Sequence, residues 1–168
     1  MLSGPIPDDV YLDTSFVVNA VFQVLPGSIS CIEATDEIRD NQSIVYTSEL
    51  LRLEYAQALR RLATRRRLPR HLHKRHELDR WAIGSVRYQW LVYGFSELDK
   101  YLGTLPIVYE LPYDNALMIP TTRFMAEYAL GSLDAIHLAT ALHYEIPVFW
   151  TCDDHFQRAD DLHIEIIR

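Results

Sequence analysis

The chain has 168 residues, 49% of them hydrophobic and 23% charged, with a formal net charge of −7. That composition is ordinary for a globular protein and reads as one domain over 1–168, long enough to bury a sizeable core. No apolar run approaches the ~18 residues of a membrane span, the start lacks a secretory signal, and two cysteines make neither a disulfide framework nor a zinc site. The cytoplasm is the default compartment.

Val10 to Leu12 reads as a buried strand, and Phe16, Val17, Val18, Val21 and Phe22 suggest a short helix that Pro26-Gly27 breaks. Ser30-Cys31-Ile32-Glu33 has the pattern of a capping box opening a helix to about Asp40. Ile44 to Thr47 reads as strand two. Ser48 is an N-cap candidate, with Glu49 in the first turn of a helix whose broad apolar face holds Leu50, Leu51, Leu53, Tyr55, Ala58, Leu59 and Leu62.

Pro69 interrupts the next stretch, and Trp81, Ile83, Val86, Trp90 and Leu91 resume a helical pattern. Ile107 to Leu111 reads as strand three. A helix follows Asp114, with Pro120 near its first turn and Gly131 ending it. Ser132 caps a helix to about Tyr144, which Pro147 stops. Val148 to Thr151 is strand four, and His163 to Ile167 a short strand five at a sheet edge. Strands alternating with helices predict an α/β fold with a parallel sheet covered on both faces, and ligands in such sheets bind beyond the strands' carboxyl ends.

Four acids stand out against this scaffold. Asp13 ends the first strand and Asp153 follows the fourth, while Glu54 and Asp134 sit inside helical stretches able to reach the same corner. Carboxylates are rarely buried without a partner. Two unit charges about 5 Å apart repel by roughly 3 kcal/mol at an effective dielectric near 20. A hard divalent cation relieves that repulsion, because Mg²⁺ and Mn²⁺ favour carboxylate and water oxygens.

Charge is also segregated. Arg60 to Arg80 holds nine Lys or Arg against two acids, leaving seven basic and 21 acidic residues elsewhere. Such a patch can bind phosphates on an acidic protein, can dock an acidic partner, or can be a solvated face.

With those positions placed, the chain resembles the PIN-domain nucleases, and within them the VapC-type toxins of toxin–antitoxin pairs. The matching stretches are Tyr11-Leu12-Asp13-Thr14-Ser15, Ser48 to Glu54, Leu133 to Ala141, and Thr151-Cys152-Asp153-Asp154-His155-Phe156. The resemblance implies a PIN-like three-layer α/β/α fold, with an about five-stranded parallel sheet and a Mg²⁺- or Mn²⁺-dependent endoribonuclease activity on RNA. It also implies a cognate antitoxin and a homodimer. On this reading Asp13, Glu54, Asp134 and Asp153 are catalytic and metal-binding. Thr14 and Thr151 support them, and Arg61, Arg65, Arg66 and Arg67 meet RNA or the partner. Asp153 is preferred to Asp154 for the terminal acid, and His137 reads as a packed, hydrogen-bonded histidine. Residues 68–101, long and aromatic, match no family motif and suggest an added helical hairpin. Two alternatives are a catalytically weak PIN-like RNA- or protein-binding module and a Mg-dependent phosphatase of another α/β family. The latter usually carries a second Asp where this chain has Ser15.

Overall fold

A computed structural model describes residues 6–22, 28–64 and 84–168. The order in the chain is β1 (Asp9–Leu12), α1 (Thr14–Phe22), α2 (Ser28–Asn41), β2 (Ile44–Ser48), α3 (Leu51–Thr64), α4 (Gly84–Leu102), β3 (Ile107–Leu111), α5 (Met118–Tyr128), α6 (Ser132–His143), β4 (Val148–Thr151) and β5 (His163–Ile166). Short 3₁₀ segments precede α5, at Asn115–Leu117, and follow β4, at Asp154–Arg158. Of the expected hairpin over 68–101, residues 68–83 lie outside the described residues, as do Arg65, Arg66 and Arg67; residues 84–101 belong to α4.

The five strands form a parallel sheet in the order β3-β2-β1-β4-β5. Successive strand side chains point to opposite faces, so the short apolar strands feed two cores. Val10, Leu12, Val148 and Trp150 face one layer, where Phe16, Cys31, Ile38, Leu51, Tyr55, Leu59 and Leu98 of α1 to α4 meet them. Tyr11 and Phe149 face the other, against Phe124 of α5 and Leu138, Ala139 and Ala141 of α6. The register pairs Tyr11 with Phe149, and their rings stack 5.2 Å apart at 7°. The expected α/β/α fold with a parallel five-stranded sheet is the observed one.

Several local expectations change. Helix α2 begins at Ser28, so Ser30 lies inside it and its hydroxyl donates to the Arg168 carbonyl instead of capping. Glu49 precedes α3 instead of opening it: its amide donates to the Leu111 carbonyl and its carboxylate accepts from the Tyr113 amide. Leu53 is 57% exposed, because the buried stripe of α3 is the narrower Leu51, Tyr55, Leu59, Leu62 set. Helix α5 stops at Tyr128 through Ala129, which adopts the left-handed conformation (φ 54°) that usually selects glycine. Gly131, expected to end α5, is instead the N-cap of α6, and Ser132 is its first helical residue.

Phe16 is fully buried and packs 5.8 Å from the Trp150 ring. Phe16→Ala should cost about 3–5 kcal/mol, seen as a lower urea midpoint with an unchanged denaturant slope. A loss below about 1 kcal/mol would contradict this packing.

Candidate active site

The chain leaves β1 toward β2 on one side and later returns as β4 on the other. The carboxyl ends of β1 and β4 therefore flank a switch in strand order, the place where open parallel sheets leave a crevice. The two ends are tied directly: the Asp13 amide donates to the Trp150 carbonyl at 3.0 Å. A cavity of about 560 Å³ opens there, lined by Asp13, Thr14, Ser15, Glu54, Arg61, Asp134, Asp153 and His155 among others. All four acids singled out in the sequence thus line one cavity, from β1, α3, α6 and the turn after β4.

Asp13 is almost fully buried, and its Oδ2 is held by three donors. These are the Ser15 amide at 3.1 Å, the Ser15 hydroxyl at 2.5 Å and the Thr151 hydroxyl at 2.9 Å. The two hydroxyls are themselves fixed, since Ser15 Oγ accepts from the Cys152 amide at 2.9 Å and Thr151 Oγ1 from the Asp153 amide at 3.0 Å. Backbone beyond β4 thereby orients the two side chains that orient Asp13. Thr151 supports Asp13 from beneath the cavity, as a carboxylate-holding hydroxyl. Ser15 does the same work and went unassigned in the sequence; the signal for it was its position two residues past an acid at a strand end.

Glu54 reaches in from the layer of α1 to α4. Its Oε2 accepts from the Thr14 hydroxyl and from Nε2 of His137, which projects from α6 on the opposite layer. Burial opposes the charged form of Glu54, but the His137 and Thr14 hydrogen bonds and the charge of Arg61 outweigh it and hold the carboxyl below its ordinary range. His137 is 1% exposed; burial favours its neutral form, yet Glu54, Asp13 and Asp134 together raise its pKa. The expectation of a packed, hydrogen-bonded histidine holds, and the partner turns out to be one of the four acids.

Asp134 is treated differently. Burial raises its pKa first, and the charges of Asp13, Asp153 and Glu54 raise it further. A Cβ at position 131 would lie 2.9 Å from Asp134 Oδ2, so glycine there leaves this carboxylate its room. Asp153 caps the 3₁₀ turn through the His155 amide at 2.9 Å and also lines the cavity. Asp154 is exposed and pairs with Arg168 at 2.6 Å, away from this cavity. Arg61 brings one cation from the basic stretch to the cavity wall.

Among the described residues no three His, Cys, Asp or Glu side chains are gathered tightly enough to enclose a metal ion by themselves. Asp13 Oδ2, Glu54 Oε2 and Asp153 Oδ1 each accept from protein donors. The donor chemistry still fits a hard divalent cation. Mg²⁺ keeps several waters and needs only one or two carboxylates directly, and the repulsion of Asp134 by Asp13, Asp153 and Glu54 is only partly offset by His137. Among the described residues, no helix is long and apolar enough to cross a membrane.

No curated protein sequence matches the chain significantly. Its fold is similar to that in a crystal structure of VapBC2 from Rickettsia felis bound to a DNA fragment from their promoter, with a TM-score of 0.62. That likeness spans 95% of this chain and 98% of the other at 13% identity. The PIN domain family matches residues 10–162, which takes in all four acids and every strand except β5 and the first residue of β1. The chain belongs to the PIN domain family.

Proposed function

We propose that the protein is a metal-dependent endoribonuclease and the toxin of a type II toxin–antitoxin pair. The observation that carries the activity is four carboxylates lining one cavity at the β1/β4 switch of a PIN fold. The toxin role, and with it an antitoxin partner and a homodimer, leans on the likeness to a VapBC2 structure.

Phosphodiester hydrolysis needs an activated water and relief of charge on the phosphoryl oxygens. A bound Mg²⁺ or Mn²⁺ would supply both, by activating water and offsetting charge on the phosphate. Asp13, Asp134 and Asp153 would hold the ion. Thr151 and Ser15 keep Asp13 pointed, and Thr14 does so for Glu54. Glu54 stays ionised despite burial, which suits a group that binds the ion or orients the attacking water. Arg61 places a cation where a phosphate would enter, and Arg65, Arg66 and Arg67, next in the sequence, would serve RNA or the antitoxin. Two other readings fare less well. A catalytically weak binding module has no use for four acids in one cavity, and a phosphatase needs a second acid where Ser15 instead donates to Asp13.

Asp13→Asn should lower Mn²⁺-dependent RNA cleavage by about 10²-fold or more, the scale of a positioned charge-stabilising group, while far-UV circular dichroism stays unchanged. Undiminished cleavage by the folded variant would refute the site. Millimolar Mn²⁺ should raise the wild-type melting midpoint and raise that of Asp13→Asn much less; equal shifts would mean that the ion binds elsewhere.

Asp134 gives a pH signature. Its raised pKa means that the native state binds this proton more readily than the unfolded chain. The resulting penalty is absent below the ordinary Asp value of about 3.9, grows as pH rises from there to the folded value, and is complete above it. In metal-free buffer at neutral pH, Asp134→Asn should melt higher than wild type. The gain should vanish below about pH 4. A lower midpoint at neutral pH would show that the repulsion is relieved by other means.

A further inference from the structure

His137 and Tyr11 stand behind the four acids without being among them. The imidazole is fully buried and both its nitrogens are engaged, Nδ1 with the Tyr11 hydroxyl at 2.7 Å and Nε2 with Glu54 Oε2. An ionised carboxylate only accepts, so Nε2 must carry a proton. Tyr11 is held in turn: its ring is fully buried on β1 and stacked on Phe149. Glu54 comes from the helical layer on one side of the sheet and His137 from the layer on the other. Their bond therefore crosses the crevice above the strand ends. Oε2 also accepts from Thr14, which fills the two lone-pair directions of that oxygen.

We propose that His137, backed by Tyr11, is a positioning residue that fixes Glu54 by Oε2, so that Glu54 meets a water or cation through Oε1 alone. This rests on the nuclease reading only for the consequence at Glu54; the hydrogen bond is a property of the metal-free protein. The residue acts through Glu54 and touches neither substrate nor ion.

The test is a double-mutant cycle with a spectroscopic arm. In metal-free protein, ¹⁵N NMR of the histidine rings should show a protonated Nε2 on His137 that changes in Glu54→Gln; a bare Nε2 overturns the proposal whatever the activity. In Mn²⁺-dependent cleavage, His137→Leu should lower kcat about 10- to 100-fold with KM within about twofold. His137→Gln, which keeps an N–H donor, should recover most of it. On a Glu54→Gln background His137→Leu should add no further loss; losses that multiply would mean an independent or merely structural role. If His137→Leu fails to fold, Tyr11→Phe replaces it in the same cycle, with a smaller loss that again vanishes beside Glu54→Gln. Wild-type cleavage by Glu54→Gln would refute Glu54's role and with it the positioning role of His137, while absence of cleavage by the wild-type protein would refute the nuclease reading and leave the NMR result standing.

A separate observation carries a second inference. Cys31 of α2 and Cys152, between Thr151 and Asp153, lie with their sulfurs 3.2 Å apart, though 121 residues separate them in the chain. Cys152 is partly exposed and Cys31 fully buried, and both are free thiols. We infer that the pair closes to a disulfide under a peroxide. One sulfur attacks the O–O bond and becomes a sulfenic acid with loss of water. The second sulfur then displaces the other water, so two thiols and one hydrogen peroxide give one disulfide and two waters. The link would tie α2 to the turn that carries Asp153 and close a long loop of the unfolded chain. After mild peroxide, intact-mass analysis should show loss of two hydrogens. The melting midpoint should rise by roughly 5 °C or more, and dithiothreitol should reverse both changes. Neither change should occur in Cys31→Ser. Sulfinic acid without a cross-link, or the same rise in Cys31→Ser, would overturn the inference.

Discussion

Everything at the candidate site depends on β1 being flanked on one side by β2 and on the other by β4. That arrangement sets Asp13 against the end of β4 through a backbone hydrogen bond, and it opens the crevice into which α3 and α6 reach from opposite layers. The pairing is enforced by packing as much as by the ladder. Val10, Leu12 and Trp150 are sealed on one face and Tyr11 and Phe149 on the other. A slip of one residue would exchange those faces and turn the acids away from each other.

The protein handles its crowded negative charge in three ways. Asp13 is given hydroxyl and amide donors, Glu54 is given a buried imidazole, and Asp134 is given space beside Gly131, with the charge of His137 offsetting its acidic neighbours only in part. The first two devices orient a carboxylate and keep it ionised. The third leaves a deficit. A site meant only for stability would not be built this way, because crowding partly buried carboxylates opposes their ionisation.

The sheet and its helices were legible because short apolar runs bounded by Gly and Pro alternate with helical periodicity, as at Val148–Thr151 after Pro147. The acids were legible because strand-end positions and family motifs coincide at Asp13, Asp134 and Asp153. What stayed hidden depends on tertiary placement. Nothing in the sequence near Ala129 announces a left-handed residue, since glycine two positions later is the stronger signal. The stripe of α3 excludes Leu53 because helix orientation, not hydrophobicity, decides which leucine is buried. Ser15 and His137 acquire meaning only through Asp13 and Glu54, and the two cysteines meet only once α2 lies against the end of β4.

The acids occupy positions 13, 54, 134 and 153, and β4, which leads into the turn that holds the last of them, slots in beside the first strand. Contacts of such long sequence separation form late, after most of the loop-closure entropy has been met. A chain still emerging from the ribosome, with β1 to β3 complete, has an unfilled edge on β1 where β4 belongs. Without β4 there is no Thr151 to hold Asp13 and no Asp153 to complete the crevice. Synthesis must therefore pass residue 153 before the acidic corner can assemble.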